Sequence, residues 1–418
     1  MKASSKIVWG SVVVVCGAWA CGGTAYECPP GYECKPICSD GPFGNASAGD
    51  CVPPDAGAYD SGSGGYDANA PFDAGGGGGG GVGGYPAGSN PPSSASSTAL
   101  AFDVVDAEQS TALHRVVMVS DSPSNALVIL DPVSHAMQTV ALPSKPVAVG
   151  VDPSGLHAAV AYDAHVSEID LQTATLTTTC NLGSDAADIA LSDDGVAYVA
   201  PLTDQWVSLR AVTLSTCTDS SQNGGLYADS RLQLHPSGLA AFVADRGLSP
   251  NNIDRCYLND GGVGCNDANS TDEWGRYEFC GSLWINSTGA RIYTGCGVTL
   301  AVPPAVVDGF LTYSGKLTVP GAIQHLTEVT AASRVLAIPA VPAYATDPSL
   351  TLADTEVRVY GTQYLDLQKQ VQIPLMTGGA PAHGRFVFGS DDGSTLYVIA
   401  SSSMTIPGGT YELETLVP

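Results

Sequence analysis

A short phrase recurs along the C-terminal three quarters of this 418-residue chain: a polar turn, usually ending in glycine, followed by a strand of β-branched, aromatic and small apolar residues. It reads "VDPSGLHAAVAY" at 151–162, "LSDDGVAYVAP" at 191–201, "LHPSGLAAFVAD" at 234–245, "INSTGARIYTG" at 285–295 and "GSDDGSTLYVIA" at 389–400. Two copies lack the glycine, "LHRVVMVSD" at 113–121 and "ASRVLAIPA" at 332–340. An Asp or Ser at the head of such a turn bonds its own backbone, and glycine takes the left-handed conformation that other residues resist. The strands start near 115, 156, 196, 239, 290, 334 and 395. Most of these intervals match the roughly 40 to 45 residues of a four-stranded propeller blade.

Further strands follow at similar offsets, "ILDPVSHAMQTVAL" from 129 and "IDLQTATLTTTCNL" from 169. The long intervals from 239 to 290 and from 334 to 395 imply insertions after the fourth and sixth repeat strands. A ring of this kind closes when both chain ends share a blade. "ALAFDVVD" (99–106) and "TYELETLVP" (410–418) alternate as strands and are expected to meet in the last blade. A pair of β-sandwiches, the other all-β arrangement, lacks this period. With its Gly turns, strands such as "LYVI" (396–399) and strands ending in Asp, Ala99–Pro418 resembles the seven-bladed propellers of the YVTN and lactonase-like group. The resemblance implies an all-β, WD40-like seven-bladed β-propeller; it rests on fold-forming residues and leaves function open.

The N-terminal residues carry an address. Lys2 and Lys6 precede an apolar run from Ile7 to Ala20, shorter than the roughly 20 apolar residues that span a membrane. Residues 1–20 therefore read as a secretory signal, and no other stretch predicts a transmembrane helix. Ala18-Trp19-Ala20 fits an ordinary signal exit, whereas Ala20-Cys21 followed by Gly22-Gly23 resembles a bacterial lipobox. Cysteine parity favours the second: once Cys21 is acylated, the ten cysteines downstream can all pair. An outer-membrane lipoprotein of the bacterial envelope is expected, with simple secretion or an uncleaved anchor as the other outcomes.

Residues 21–54 form a lipid-anchored module in which Cys28, Cys34, Cys38 and Cys51 supply disulfides in place of a core; their connectivity is open, and the spacing does not suit zinc. Residues 55–98 are rich in Gly, Ser, Ala, Asp and Pro, with glycine at every position from 75 to 81, and read as a disordered linker reaching about 35 to 40 Å. In the ring, the "NSTG" turn sets Cys280 opposite Gly295 and predicts a bond from Cys280 to Cys296. Cys256 and Cys265 flank one turn and are expected to pair, which leaves Cys180 with Cys217 by elimination.

Sixteen basic residues against 41 acidic ones give a formal charge of −25, which argues against nucleic acid and anionic membrane surfaces as partners. No G-x-S-x-G, H-E-x-x-H, P-loop or C-x-x-C phrase occurs. The histidines at 114, 135, 157, 165, 235, 325 and 383 show no metal-binding spacing and read as surface or turn residues. "DANSTDEWGRYE" (267–278) supplies oxygen ligands at several EF-hand positions but has Asp272 where the sharp turn requires Gly, so it reads as a polar loop. No cofactor is expected, Ca²⁺ or Mg²⁺ being the candidates if there is one. Trp274 and Trp284 are candidates for sugar stacking, though Trp284 in "SLWIN" suits a place between blades. The strands expected to line the channel, "AVGVD", "DIALS", "LQLHP" and "SLWIN", are mostly apolar. The expectation is a monomeric, noncatalytic binding or scaffold protein that presents a propeller to an envelope or extracellular protein or glycan. The alternative is a lactonase-like hydrolase with a divalent cation at the channel mouth, and no catalytic residue is assigned for it.

Overall fold

Seven four-stranded antiparallel sheets make up the larger unit of the computed structural model. The structure describes residues 89–418 apart from 222–224, 247–251, 259–264, 269–275, 305–307, 341–352 and 405–407, together with one short strand pair near the N-terminus. The sheets are the blades of a seven-bladed β-propeller. Their second strands, Arg115–Ser120, His157–Tyr162, Val196–Ala200, Ala240–Ala244, Arg291–Thr294, Arg334–Pro339 and Leu396–Ser401, are the seven repeat strands of the sequence. The glycines of the five full repeats, Gly155, Gly195, Gly238, Gly289 and Gly393, all have φ between 64° and 75°. In the two copies without glycine, His114 and Ser333 take the left-handed conformation instead, at 53° and 51°.

The second strands are apolar at nearly every position because each blade packs on both faces. Buried side chains fall into seven clusters, one per junction between neighbouring blades. Between blades 1 and 2, for example, Val117, Val119 and Ile129 meet Val149, Val160 and Tyr162. Alanines crowd the second strands of blades 2, 3 and 4, and the inner strands approach closely there. A Cβ built on Gly150 would lie 2.7 Å from the backbone oxygen of Ile189 in blade 3.

Both chain ends close the ring. Ser94–Leu100 is the outermost strand of blade 7 and runs antiparallel to Tyr411–Val417, from Ser94 opposite Val417 to Leu100 opposite Tyr411. The closing strand thus lies earlier than the alternation at 99–106 suggested. Residues 94–98, assigned to the linker by composition, are paired, while Asp106 already begins blade 1. Upstream, Asn90 exchanges backbone hydrogen bonds with Gln370 and Gln372, on the outermost strand of blade 6.

Three disulfides fasten the ring: Cys180–Cys217, Cys256–Cys265 and Cys280–Cys296. Cys256 and Cys265 sit directly opposite on adjacent strands of blade 4. Cys180, in the outer strand of blade 2, reaches across to the blade 3 turn at Cys217. The hairpin beside Cys280 has Leu283 opposite Thr294 and Ile285 opposite Ile292. Its register is two residues from the one that places Cys280 opposite Gly295, because the turn closes from Asn286 to Gly289. The bond to Cys296 forms from the connection before the strand.

In the N-terminal unit, Glu33–Cys34 pairs with Cys51–Val52, and Cys34 stands opposite Cys51. The signal at 1–20, Cys21, Cys28, Cys38, linker residues 55–88 and Trp274 lie outside the described residues. No helix among the described residues is long and apolar enough to cross a membrane.

Candidate functional site: the central channel and its two ends

The innermost strands are Asp106–Ser110, Pro146–Val151, Asp188–Leu191, Arg231–Leu234, Leu283–Ile285, Ile323–Val329 and His383–Gly389. Strand alternation puts their beginnings, the connections from second to third strands, and the crossings between blades at one end of the channel, termed upper here. The turns after the innermost strands mark the lower end.

Each innermost strand is a free sheet edge, so its N–H groups need partners that backbone pairing does not supply. The preceding blade provides some of them. The Asp106 carboxylate accepts the Val149 N–H at 2.9 Å, and that of Asp188 accepts the Leu232 N–H at 2.8 Å. His325 does the same with Nδ1, accepting from Val387 at 3.2 Å. Gln109 donates across the closing junction to the Gly389 carbonyl at 3.1 Å. These bonds tie blade 1 to 2, 3 to 4, 6 to 7 and 7 to 1.

The acids of the channel also act on one another. Asp106 and Glu108 keep some area open to the channel, yet protein surrounds them, so burial governs their titration. Burial and the charge of Asp188 push Asp106 up to about 6. Burial and the charges of Asp106 and Asp188 push Glu108 up to about 8. Asp188 is raised by burial, with Arg231 opposing the shift. Arg231 lies 4.0 Å from Asp188 and donates to the Ala187 carbonyl, while Arg246 pairs with Asp229 at 3.5 Å.

Glu108 therefore carries its proton at neutral pH in the folded protein and loses it near 4.5 in the unfolded chain. The folded state binds the extra proton between those values, so its stability falls as pH rises from about 4.5 towards 8. Glu108→Gln is expected to remove about 2 kcal/mol of that fall, allowing for water in the channel. Urea unfolding of both proteins at pH 5 and pH 8 measures it; parallel losses would refute the assignment.

A cavity of about 220 Å³ occupies the lower half of the channel, walled by Val151, Pro153, Ile189, Leu191, Leu234 and Pro236, with Glu108, Gln233 and Ser287 as its polar members. The upper end is different. The strand ends that bound several of the longest connections lie there: Ala200 and Arg210, Ala244 and Ile253, Asp267 and Leu283, Gln372 and His383, Ser401 and Tyr411. Blade 3 adds a two-stranded ribbon, Trp206–Val207 with Leu226–Tyr227. On it Trp206 is 63% exposed and braced edge-on by Tyr227 at 5.8 Å. Also at this end, His383 Nδ1 lies 2.9 Å from Asp354, with both side chains buried.

Sequence reasoning missed Asp106 and Glu108, because "DVVD" had been joined to the closing strand and "DAEQS" carries no apolar alternation. Two histidines also depart from the surface-or-turn reading. His383 is buried, and His325 is enclosed by the rings of Phe386 and Phe388, each 5.3 Å away, and by Trp284 at 6.2 Å. Burial drives His325 down to about 3, so it is neutral. Trp284 is partly buried at the junction of blades 5 and 6, which leaves Trp206 as the exposed indole among the described residues. Among the described residues there is no group of three or more side chains suited to a metal ion.

No family model and no curated protein matches the chain. Among solved structures, it is similar to the β-propeller domain of Cps50 (Swd1) from Myceliophteria thermophila, with a TM-score of 0.56 and 10% identity over 77% of this chain and 99% of that one. Hydrazine synthase from Kuenenia stuttgartiensis is a weaker match, with a TM-score of 0.40 and 14% identity over 72% of this chain and 75% of the other. At these identities the likeness shows the fold alone.

Proposed function

We propose that the protein is an exported propeller of the YVTN-like type, anchored to the bacterial envelope through lipidated Cys21, that binds a protein or glycan on its upper face without transforming it. Three disulfides in the ring suit an oxidising compartment. The observation that carries the binding role is Trp206, an exposed indole braced edge-on by Tyr227 at the upper end of the channel. An indole face of this kind stacks on sugar rings, and aromatic side chains also anchor protein interfaces. The acids Asp106 and Asp188 serve the ring by capping strand edges, which supports a scaffold role for the channel.

An array of envelope and extracellular glycans, probed with the chain and with Trp206→Ala, tests the reading. Binding that the variant loses is expected; glycan binding untouched by the variant would move the site elsewhere. A second reading, a lactonase-like hydrolase using Ca²⁺ or Mg²⁺, draws on the buried His383–Asp354 pair, since an imidazole oriented by a carboxylate is a general-base arrangement. Lactone and ester hydrolysis with added cation, and again with EDTA, separates the two. Turnover abolished by EDTA would overturn the noncatalytic reading.

A further inference from the structure

The lower half of the channel has a chemistry of its own, independent of what binds the upper face. Its cavity of about 220 Å³ is walled mainly by apolar side chains, and Glu108 is the one ionisable group among its lining residues. No side chain among the described residues bonds to that carboxyl; the Gln109 backbone does. The two arginines that act on Asp188 are committed higher up, Arg231 to Asp188 and the Ala187 carbonyl, Arg246 to Asp229. The charged groups that reach Glu108 are Asp106, two residues before it on the same strand, and Asp188 from the innermost strand of blade 3, both acidic. An apolar chamber with a carboxyl at its wall and two further carboxylates behind it favours a positive charge on a short apolar stem. We infer that this cavity is a binding site for a primary alkylammonium ion, the ammonium on Glu108 and the alkyl stem against Val151, Ile189 and Leu234.

Neither a bare metal ion nor a neutral molecule fits as well. A metal ion would leave the apolar walls unused and find a single carboxylate at the chamber. A neutral hydrogen-bond acceptor would need the protonated form of Glu108 and gain nothing from Asp106 and Asp188. The two kinds of ligand are told apart by pH. Glu108 is protonated at neutral pH because burial and its acidic neighbours raise it, so an arriving ammonium must displace a proton. Affinity for the cation therefore climbs as pH rises, whereas affinity for an acceptor falls.

Titration calorimetry of the whole chain with n-butylammonium, n-butanol and backbone-blocked lysine, from pH 6 to pH 9, tests the assignment. The expected result is butylammonium binding that tightens roughly tenfold per pH unit up to about pH 8 and then levels. It should release close to one proton at pH 7, read from the difference between two buffers of unlike ionisation enthalpy. Blocked lysine that also binds would extend the site to a partner's side chain; butylammonium alone would restrict it to free amines, and both outcomes support the cation site. Glu108→Gln should abolish the binding and its pH dependence, with circular dichroism confirming an intact fold. Ser287→Trp, at an exposed turn on the rim, should block entry while leaving Glu108 in place. No binding by either amine, butanol binding as tightly as butylammonium, or unchanged affinity in Glu108→Gln would each overturn the proposal. None of these bears on the upper face, which Trp206→Ala tests separately.

Discussion

A chain beginning at Ala101 is expected to lose cooperative folding, while one beginning at Ser89 melts like the full-length protein. The missing segment supplies a whole strand: all seven residues from Ser94 to Leu100 pair with Tyr411–Val417. Ser97 also donates to the Glu412 carboxylate at 2.7 Å, and Ser93 to the Val417 carbonyl at 3.0 Å. Leu100 belongs to the apolar cluster that joins blade 7 to blade 1. Without the strand, Tyr411–Val417 becomes an open edge and the ring has no closure between its ends. Since domains of this kind have a net stability of about 5 to 15 kcal/mol, losing the strand is expected to cost about 5 kcal/mol or more. A chain starting at Ala99 keeps only two of the paired residues and should behave like the deletion. Calorimetric melting of the three chains gives the answer, and a peptide of residues 89–100 added in trans should restore the transition. A cooperative melt of the Ala101 chain within about 3 °C of the full-length value would show that the ring does not depend on this strand.

The same strand explains where the sequence was hard to read. "SASSTAL" contains no large apolar residue before Leu100 because its first six residues face solvent wholly or in part, so its composition merges with the linker before it. The second strands of the blades are the opposite case. They are buried on both faces and each follows a turn, and together these imprint a period that is legible in the single sequence. The turns were legible for a backbone reason: five glycines and two substitutes share one left-handed position. Innermost strands were partly hidden. Asp188 lay inside the quoted "DIALS", but nothing in a single strand announces that its carboxylate caps the next blade's Leu232. Cross-blade bonds such as Asp106 to Val149 and His325 to Val387 join residues 43 and 62 positions apart, and no local pattern records them. Trp274 and Trp284 stood out in the sequence and Trp206 did not, since its exposure depends on a ribbon only two residues wide per strand.

Removing the Cys180–Cys217 bond should destabilise the ring more than removing either of the other two. The four-stranded sheets of neighbouring blades share no ladder; they meet through side-chain packing and hydrogen bonds, such as that from the Gly183 N–H to the Asp219 carboxylate between blades 2 and 3. Cys180 lies in the outer strand of blade 2, with its side chain buried in the cluster shared with blade 3. Its bond closes a loop of sequence separation 37, against 16 for Cys280–Cys296 and 9 for Cys256–Cys265. Loop-closure entropy alone gives about 4 kcal/mol for the first and about 2.5 kcal/mol for the last. Cys256 and Cys265 also sit on strands already held by their own ladder, so less freedom returns when that bond is absent. Paired Cys→Ser variants of each bond should therefore melt in the order Cys180/Cys217 lowest, Cys280/Cys296 next and Cys256/Cys265 closest to the parent. The first is expected to fall by about 6 °C. If the Cys256/Cys265 variant proved the least stable, the weak points of the propeller would lie within blades, and packing with the cross-blade hydrogen bonds would suffice to hold neighbouring blades together.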